Sequence, residues 1–210
     1  MSTIETLPGI RLGPESAGIV LSPEEFDAAT DYDDCFRYEL IHGVLVVTPM
    51  ASGAERSPND LLGYWLNCYR YQHPAGSCLV ETVFEHYLRT RGNRRRADRV
   101  IWVAQSAYRP DPRTDIPTIV VEFVSSGKAA FRRDYEEKRG EYIKAGVSEY
   151  WVVDRFRRSL TVYSPGDDAT PAERTVHENE VYRTVLLPGF ELPLAELLAA
   201  ADLWGDTGNS

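Results

Sequence analysis

Cysteine and histidine are scarce in this sequence. Three cysteines and four histidines occur in 210 residues, and they form neither a CxxC pair nor a Cys/His pattern with zinc-ligand spacing. An odd number of cysteines without paired spacing argues against a disulfide framework and against a structural zinc site. We therefore expect reduced thiols and a cytoplasmic protein.

Long apolar runs and a surplus of basic residues are also missing. No segment approaches the roughly 18 consecutive apolar residues of a membrane helix, and the N-terminal sequence lacks the basic and apolar regions of a signal peptide. We expect no membrane partner. The formal net charge is -9, which repels nucleic acid at long range. A DNA partner would therefore need a local basic patch.

The apolar residues that are present follow the periods of strands and helices. Residues 22–25, Ser-Pro-Glu-Glu, have the spacing of a helix-capping box. Alternation on both sides of His42–Gly43 predicts a β-hairpin over 38–48. Apolar residues at helical spacing predict one core-facing helix: Leu61, Leu62, Trp65, Leu66 and Tyr69.

The second half of the chain predicts a parallel crossover. Over residues 116–154, two apolar strands are joined by a helical segment from about 129 to 145. Together with the antiparallel hairpins, this predicts an α/β fold, a mixed β-sheet flanked by helices. Residues 1–20 contain Gly and Pro without periodicity, so we expect a loose lead-in there and a single domain over 21–205.

Glu122 lies inside one of these apolar strands. Residues 116–124 are mostly β-branched or aromatic, which is typical of a strand buried on both faces. An unpaired ionised carboxylate in such a place would cost several kcal/mol. We therefore expect Glu122 to be matched by a metal, a cation or a proton.

Lys138 and Asp98 are the candidates to share a site with Glu122. The lysine belongs to a stripe of aromatic residues at helical spacing and is predicted to point inward, although its ammonium could instead extend to water. Asp98 opens the strand VIWVA, where it could also be a solvated turn residue. If the three meet, two repelling carboxylates favour a shared Mg²⁺. Such a set fits metal-assisted phosphodiester hydrolysis.

Arginine is concentrated immediately before Asp98. Arg94, Arg95 and Arg96 belong to the one dense basic run of an acidic chain, within a turn predicted over 91–96. One interpretation is a solvated hairpin tip. The other is a patch that holds the phosphates of DNA over the metal site with little base specificity.

Five segments, in this order, resemble a known family: YELIHGVLVVTP, RRRADRVIW, IVVEFVSS, DYEEKRGEYIKAGVSEYWVVD and LLPGFELPL. Over about residues 22–200 the chain resembles the Uma-two family of restriction-endonuclease-like proteins, within the PD-(D/E)XK nuclease-like superfamily. The most specific stretch is K-x3-Y-x3-G-V-x-E-Y-W-V-V-D, which begins at Lys138. The resemblance implies a restriction-endonuclease-like core.

The resemblance also implies roles for individual residues. Asp98 and Glu122 would bind the metal, Mg²⁺ or Mn²⁺, and Glu39 would be an auxiliary acid. Lys138 would be the catalytic lysine, relocated to a helix, because Val124 stands where most such nucleases keep it. We expect a Mg²⁺-dependent endonuclease that acts on DNA, as a homodimer if it cuts both strands.

The alternative is a catalytically inactive nuclease-like scaffold used for binding or assembly. The negative net charge favours it. So does the absence of a histidine that the family often carries early in the first long helix, where this chain has Glu55, Arg56 and Asn59 instead. A metal-binding test on Glu122 separates the two hypotheses.

Overall fold

Apolar segments of period two form most of the strands, and amphipathic segments form the helices. The computed structural model describes residues 11–90, 92–105, 107–166 and 171–205. Its strands are β1 (Arg11–Leu12), β2 (Asp31–Tyr32), β3 (Phe36–Ile41), β4 (Val44–Pro49), β5 (Leu79–Arg89), β6 (Arg94–Val103), β7 (Ile119–Phe123), β8 (Glu149–Asp154), β9 (Ser159–Ser164), β10 (Ala172–His177), β11 (Val181–Tyr182) and β12 (Leu192–Pro193). Its helices are α1 (Pro23–Ala28), α2 (Gly53–Gln72), α3 (Lys128–Arg132), α4 (Lys138–Ala145) and α5 (Leu194–Asp202), with a π-helical segment at Arg133–Glu137 between α3 and α4.

Eight of these strands form a mixed sheet flanked by helices. They pair in the order β10-β9-β8-β7-β6-β3-β4, and β5 pairs with β6. β7 and β8 are parallel, whereas β6 and β7 are antiparallel, as are β8 and β9. The predicted α/β class and the mixed sheet are confirmed.

The chain divides into two compact units. The smaller unit consists of Met1–Met50 and Tyr87–Arg96, and the larger unit consists of Ala51–His86 and Ala97–Ser210. The single domain expected over 21–205 stays a prediction.

The smaller unit contains the predicted hairpin and the predicted short helix. His42 and Gly43 both have positive φ, 51° and 79°, as the tight turn between β3 and β4 requires. At the start of α1, the Ser22 hydroxyl accepts from the Glu25 N–H at 3.1 Å, and the Glu25 carboxylate accepts from the Ser22 N–H at 2.7 Å. Both sequence predictions are confirmed.

Residues 11–20 are not a loose lead-in, in contrast to the prediction. Leu12 in β1 is fully buried, and β1 pairs in parallel with β2. A two-residue strand gives no measurable periodicity, so its sequence carried no strand signal. The rest of the predicted lead-in, residues 1–10, lies outside the described residues.

The larger unit contains the predicted crossover. The chain leaves β7, passes through α3, the π segment and α4, and returns in β8 with Glu122 in register with Val152. On the other side of the core, Leu62, Leu66 and Tyr69 of α2 are buried, as their spacing predicted. None of the described helices is long and apolar enough to cross a membrane.

Candidate active site

Glu122 is buried in the interior of the larger unit. All five residues of β7 are buried, and Glu122 is only 2% exposed. Its Oε1 lies 2.9 Å from the Nζ atom of Lys138. The same oxygen accepts a hydrogen bond from the Tyr142 hydroxyl at 2.9 Å. A cation and a hydroxyl therefore face the carboxylate for which the sequence required a partner.

Lys138 points inward, as the sequence predicted. The residue is 3% exposed, so its ammonium does not extend to water. It is the first residue of α4 and follows the π segment directly. The predicted continuous helix from about 129 to 145 is therefore interrupted, because the π segment widens the backbone turn before Lys138.

Asp134 completes this cluster, although it was not among the site residues predicted from the sequence. Its Oδ1 lies 3.5 Å from Lys138 Nζ and 3.0 Å from Arg133 Nε, and the residue is 1% exposed. Its backbone carbonyl accepts from the Tyr150 hydroxyl at 2.8 Å. The signal was available, because an acid four residues before a lysine on a helix is the favoured order for an ion pair.

Asp98 lies within β6 rather than at the start of a strand. It is 7% exposed, so the solvated-turn interpretation is wrong. Its Oδ2 accepts the backbone N–H of Phe123 at 2.8 Å, one residue along the chain from Glu122. The antiparallel pairing of β6 with β7 brings these two distant segments together.

Asn59 links α2 to the strand that carries Asp98. Its side-chain amide donates to the carbonyl oxygen of Asp98 at 2.9 Å, and its Oδ1 accepts from Arg99 Nε at 2.6 Å. Arg99 also donates to the Thr82 hydroxyl at 3.1 Å. Burial lowers the pKa of Arg99 to about 10. Asn59, one of the residues in the region where the resemblance implies a histidine, thus bonds to the Asp98 backbone and to the Arg99 side chain.

The charges of this cluster act on one another. Burial raises the pKa of Glu122 to about 8. The Lys138 ammonium opposes this effect, whereas the carboxylates of Asp98 and Asp134 add to it. Asp98, Glu122 and Lys138, predicted from separate stretches of sequence, thus lie within electrostatic reach of one another.

Glu39 and the three arginines belong to the smaller unit. Glu39 is buried, and its carboxylate accepts the Arg96 backbone N–H at 2.8 Å and lies 4.0 Å from Arg95. Arg94 donates from Nη2 to Asp27 at 2.8 Å. The auxiliary role of Glu39 and the contact of the arginines with DNA stay predictions.

The arginines do not form a solvated hairpin tip. β6 already begins at Arg94, so the predicted turn over 91–96 is shorter than expected, and Arg91 lies outside the described residues. Arg94 and Arg95 are 8% and 0% exposed, whereas Arg96 is partly exposed. Of the three, Arg96 is therefore the most accessible to a phosphate.

The chain is similar to known proteins in its fold and in its sequence family. A crystal structure from Anabaena variabilis, described as "a putative nuclease belonging to DUF820", is similar with a TM-score of 0.67 at 12% identity, over 86% of this chain and 99% of that chain. The fold is thus that of a nuclease-like mixed α/β protein. The chain belongs to the Uma2 family, described as "Putative restriction endonuclease", whose model matches residues 23–195. No curated protein matches the chain.

Proposed function

We propose that the protein is a divalent-metal-dependent endonuclease that hydrolyses phosphodiester bonds in DNA. The carrying observation is the buried carboxylate of Glu122, 2.9 Å from the Lys138 ammonium and in the same charge cluster as Asp98. Metal-assisted hydrolysis uses carboxylates to bind the metal ion and a nearby ammonium to stabilise negative charge in the transition state. The family description supports this choice of reaction.

Asp98 and Glu122 would hold the metal, Mg²⁺ or Mn²⁺. Their carboxylate oxygens are the donors that such hard cations take. Three buried carboxylates, those of Asp98, Glu122 and Asp134, act together with one buried ammonium, so a divalent ion would offset their excess negative charge. Among the described residues, no three His, Cys, Asp or Glu side chains are grouped to hold a metal, so waters and backbone carbonyls would complete the coordination.

Each protein group has a role that follows from its position. A bound divalent ion would lower the pKa of a water and offset charge on the phosphate. Lys138, rigid and buried, would donate a hydrogen bond to the attacking water or to a phosphate oxygen. Tyr142 orients the Glu122 carboxylate, and the Phe123 N–H orients that of Asp98. Glu39 would assist as an auxiliary acid.

A metal titration tests the proposed site. Mn²⁺ or Mg²⁺ at about 100 times its dissociation constant should stabilise the wild-type protein by about 2.7 kcal/mol, as an increase in Tm. Asp98→Asn and Glu122→Gln should abolish the increase, whereas Glu136→Gln, at an exposed position of the neighbouring π segment, should keep it. Metal-dependent nicking of plasmid DNA should follow the same pattern. An absent shift together with absent nicking would exclude the site.

An inactive scaffold is the second candidate. It is favoured by the Lys138 ammonium, which lies 2.9 Å from the Glu122 carboxylate and offsets its charge, and by the net charge of -9. In that case wild type and Glu122→Gln would respond equally to metal. A homodimer remains a proposal for the active form, since two sites related by a twofold axis would cut both strands of a duplex.

A further inference from the structure

A polar groove with a volume of about 440 Å³ borders the helical segment that leads to Lys138. Its lining comes from α3, the π segment and α4 on one side, and from β9 and β10 on the other. All of these elements belong to the larger unit. The predicted arginine patch over 94–96 belongs to the smaller unit and does not line this groove.

The strand side of the groove consists of three cross-strand pairs. They are Ser159 with His177, Thr161 with Thr175, and Tyr163 with Glu173. Alternate residues of a strand share one face, so these six side chains form one surface. A sheet face that is covered by a helix is ordinarily apolar. This one instead carries hydroxyl and imidazole groups: Ser159, Thr161 and Tyr163 are buried, whereas Thr175 and His177 are exposed.

Aromatic rings hold the two arginines of the groove. The guanidinium carbon of Arg157 lies 4.1 Å from the centroid of the Phe131 ring and 5.1 Å from that of Tyr135. That of Arg139 lies 5.3 Å from the Tyr163 ring. Stacking leaves the edge of a guanidinium, which carries its N–H donors, directed away from the ring.

Arg157 forms weaker contacts with carboxylates than Arg158, its neighbour in the same turn. Arg158 forms ion pairs with both Glu178 and Asp202. Arg157, with a side chain that is 58% exposed, contacts one carboxylate among the described residues, that of Asp154 at 3.8 Å. The Asp154 carboxylate also accepts the backbone N–H of Arg157 at 2.9 Å, which fixes the turn.

The charge of the groove differs between its two ends. Glu173 pairs with Tyr163 at the end where Arg139 lies. Glu136 also lines the groove, and it lies 3.8 Å from the Arg132 guanidinium, which offsets its charge. On the strand side, the groove-lining residues at the Arg157 end are Ser159 and His177, neither of which is acidic, so an anion meets less repulsion there.

We propose that the Arg157 end of this groove binds a phosphodiester of a nucleic-acid strand. This inference rests on the proposed function, because the strand would be the same DNA substrate, held here by its phosphate backbone. A stacked guanidinium presents two parallel N–H donors to a phosphate. The exposed imidazole of His177, at the same end of the groove, adds a further donor. The rings that contact Arg157, Phe131 and Tyr135, belong to the helical segment that leads to Lys138.

Binding of a fluorescently labelled single-stranded oligonucleotide, measured without divalent metal, tests this subsite. Arg157→Ser should weaken binding about tenfold and reduce the magnitude of the salt slope by about 0.7. Arg155→Ser is the matched control, because Arg155 carries the same charge in the same turn but stacks on Phe156 at 4.2 Å instead of lining the groove. It should change affinity less than about twofold, the size of an unspecific charge effect.

Three controls separate a contact of Arg157 with phosphate from unfolding or a general charge effect. Arg157→Lys, which keeps the charge without the planar group, should give an intermediate affinity, and circular dichroism should show each variant folded. An oligonucleotide with uncharged methylphosphonate linkages should lose the Arg157 effect. Inorganic phosphate should compete only weakly; competition as strong as that of the oligonucleotide would assign the subsite to free phosphate and overturn the strand contact.

The inference and the proposed function fail in different ways. Equal losses in Arg155→Ser and Arg157→Ser would overturn the subsite even if DNA is cleaved. Arg157-dependent binding without metal-dependent nicking would support the subsite and overturn only the nuclease activity.

Discussion

A single ammonium lies between two buried carboxylates in this protein. Lys138 Nζ is 2.9 Å from Glu122 and 3.5 Å from Asp134. If one carboxylate is removed, the lysine still has the other as a partner. If the lysine is removed, both carboxylates lose their contact with its ammonium. A buried charge without a partner is costly, so substitution of the lysine should destabilise the protein more than substitution of one carboxylate.

Lys138→Met should destabilise the metal-free protein by about 3 kcal/mol. Glu122→Gln should be neutral within about 1 kcal/mol or stabilising, because the raised pKa of Glu122 shows that the fold disfavours its charge. The double variant should recover part of the loss of Lys138→Met. Urea unfolding of the four proteins gives these free energies. The reverse order, with Glu122→Gln the more harmful, would show that Asp134 does not hold the lysine.

Asp27 should make stability depend on pH in the acid range. Its hydrogen bonds from Arg94 hold the pKa of Asp27 below the usual value of 3.8. A depressed pKa contributes stability above the unfolded value, and this contribution is lost as pH falls through the folded value. Asp27→Asn should therefore cost about 1 kcal/mol at pH 7 and progressively less below about pH 4. Urea unfolding between these pH values checks it, and a difference that does not depend on pH would contradict it.

At the scale of elements, the π segment decides which side chains face the site. The aromatic stripe of 131, 135, 138 and 142 predicted the inward face of an α-helix, and Tyr135, Lys138 and Tyr142 are buried as expected. Asp134 would lie at the edge of that face in a regular α-helix, since successive residues are rotated by about 100°. The wider π turn buries Asp134 and Tyr135 together. Sequence periodicity does not reveal such a turn.

Deletion of Glu136 tests this arrangement. Loss of one residue should convert the π segment to α-helix and shorten the spacing of Asp134 and Lys138 from four residues to three, which offsets the two side chains by about 60° around the helix. The Asp134–Lys138 pair should weaken, with a loss of about 1 to 3 kcal/mol in unfolding free energy and a weaker metal-dependent stabilisation. Glu136→Ala removes the same exposed charge without changing the register and should cost less than about 0.5 kcal/mol. Equal effects of the two changes would show that the π turn is unimportant.

At the scale of the whole molecule, charge limits how nucleic acid can bind. The net charge of -9 opposes association, so binding depends on a small number of local contacts. For duplex DNA we expect the slope of log affinity against log salt to be about -2, corresponding to two or three phosphates. Fluorescence anisotropy over a salt series measures it. A slope near -6 would indicate a broad basic surface and contradict the local-patch hypothesis.

The sequence by itself determined the strand that holds Glu122, the inward direction of Lys138, the hairpin at His42–Gly43 and the family. Each depends on local periodicity or on a contiguous motif, which a single stretch of chain contains. The burial of Asp98, the π turn that adds Asp134, and the groove beside Arg157 were decided only by the tertiary structure. The four-residue spacing of Asp134 and Lys138 is visible in the sequence, but the burial of Asp134 is not. Burial is set where a helix packs on a sheet and where strands far apart in sequence pair, and a local pattern does not encode those contacts.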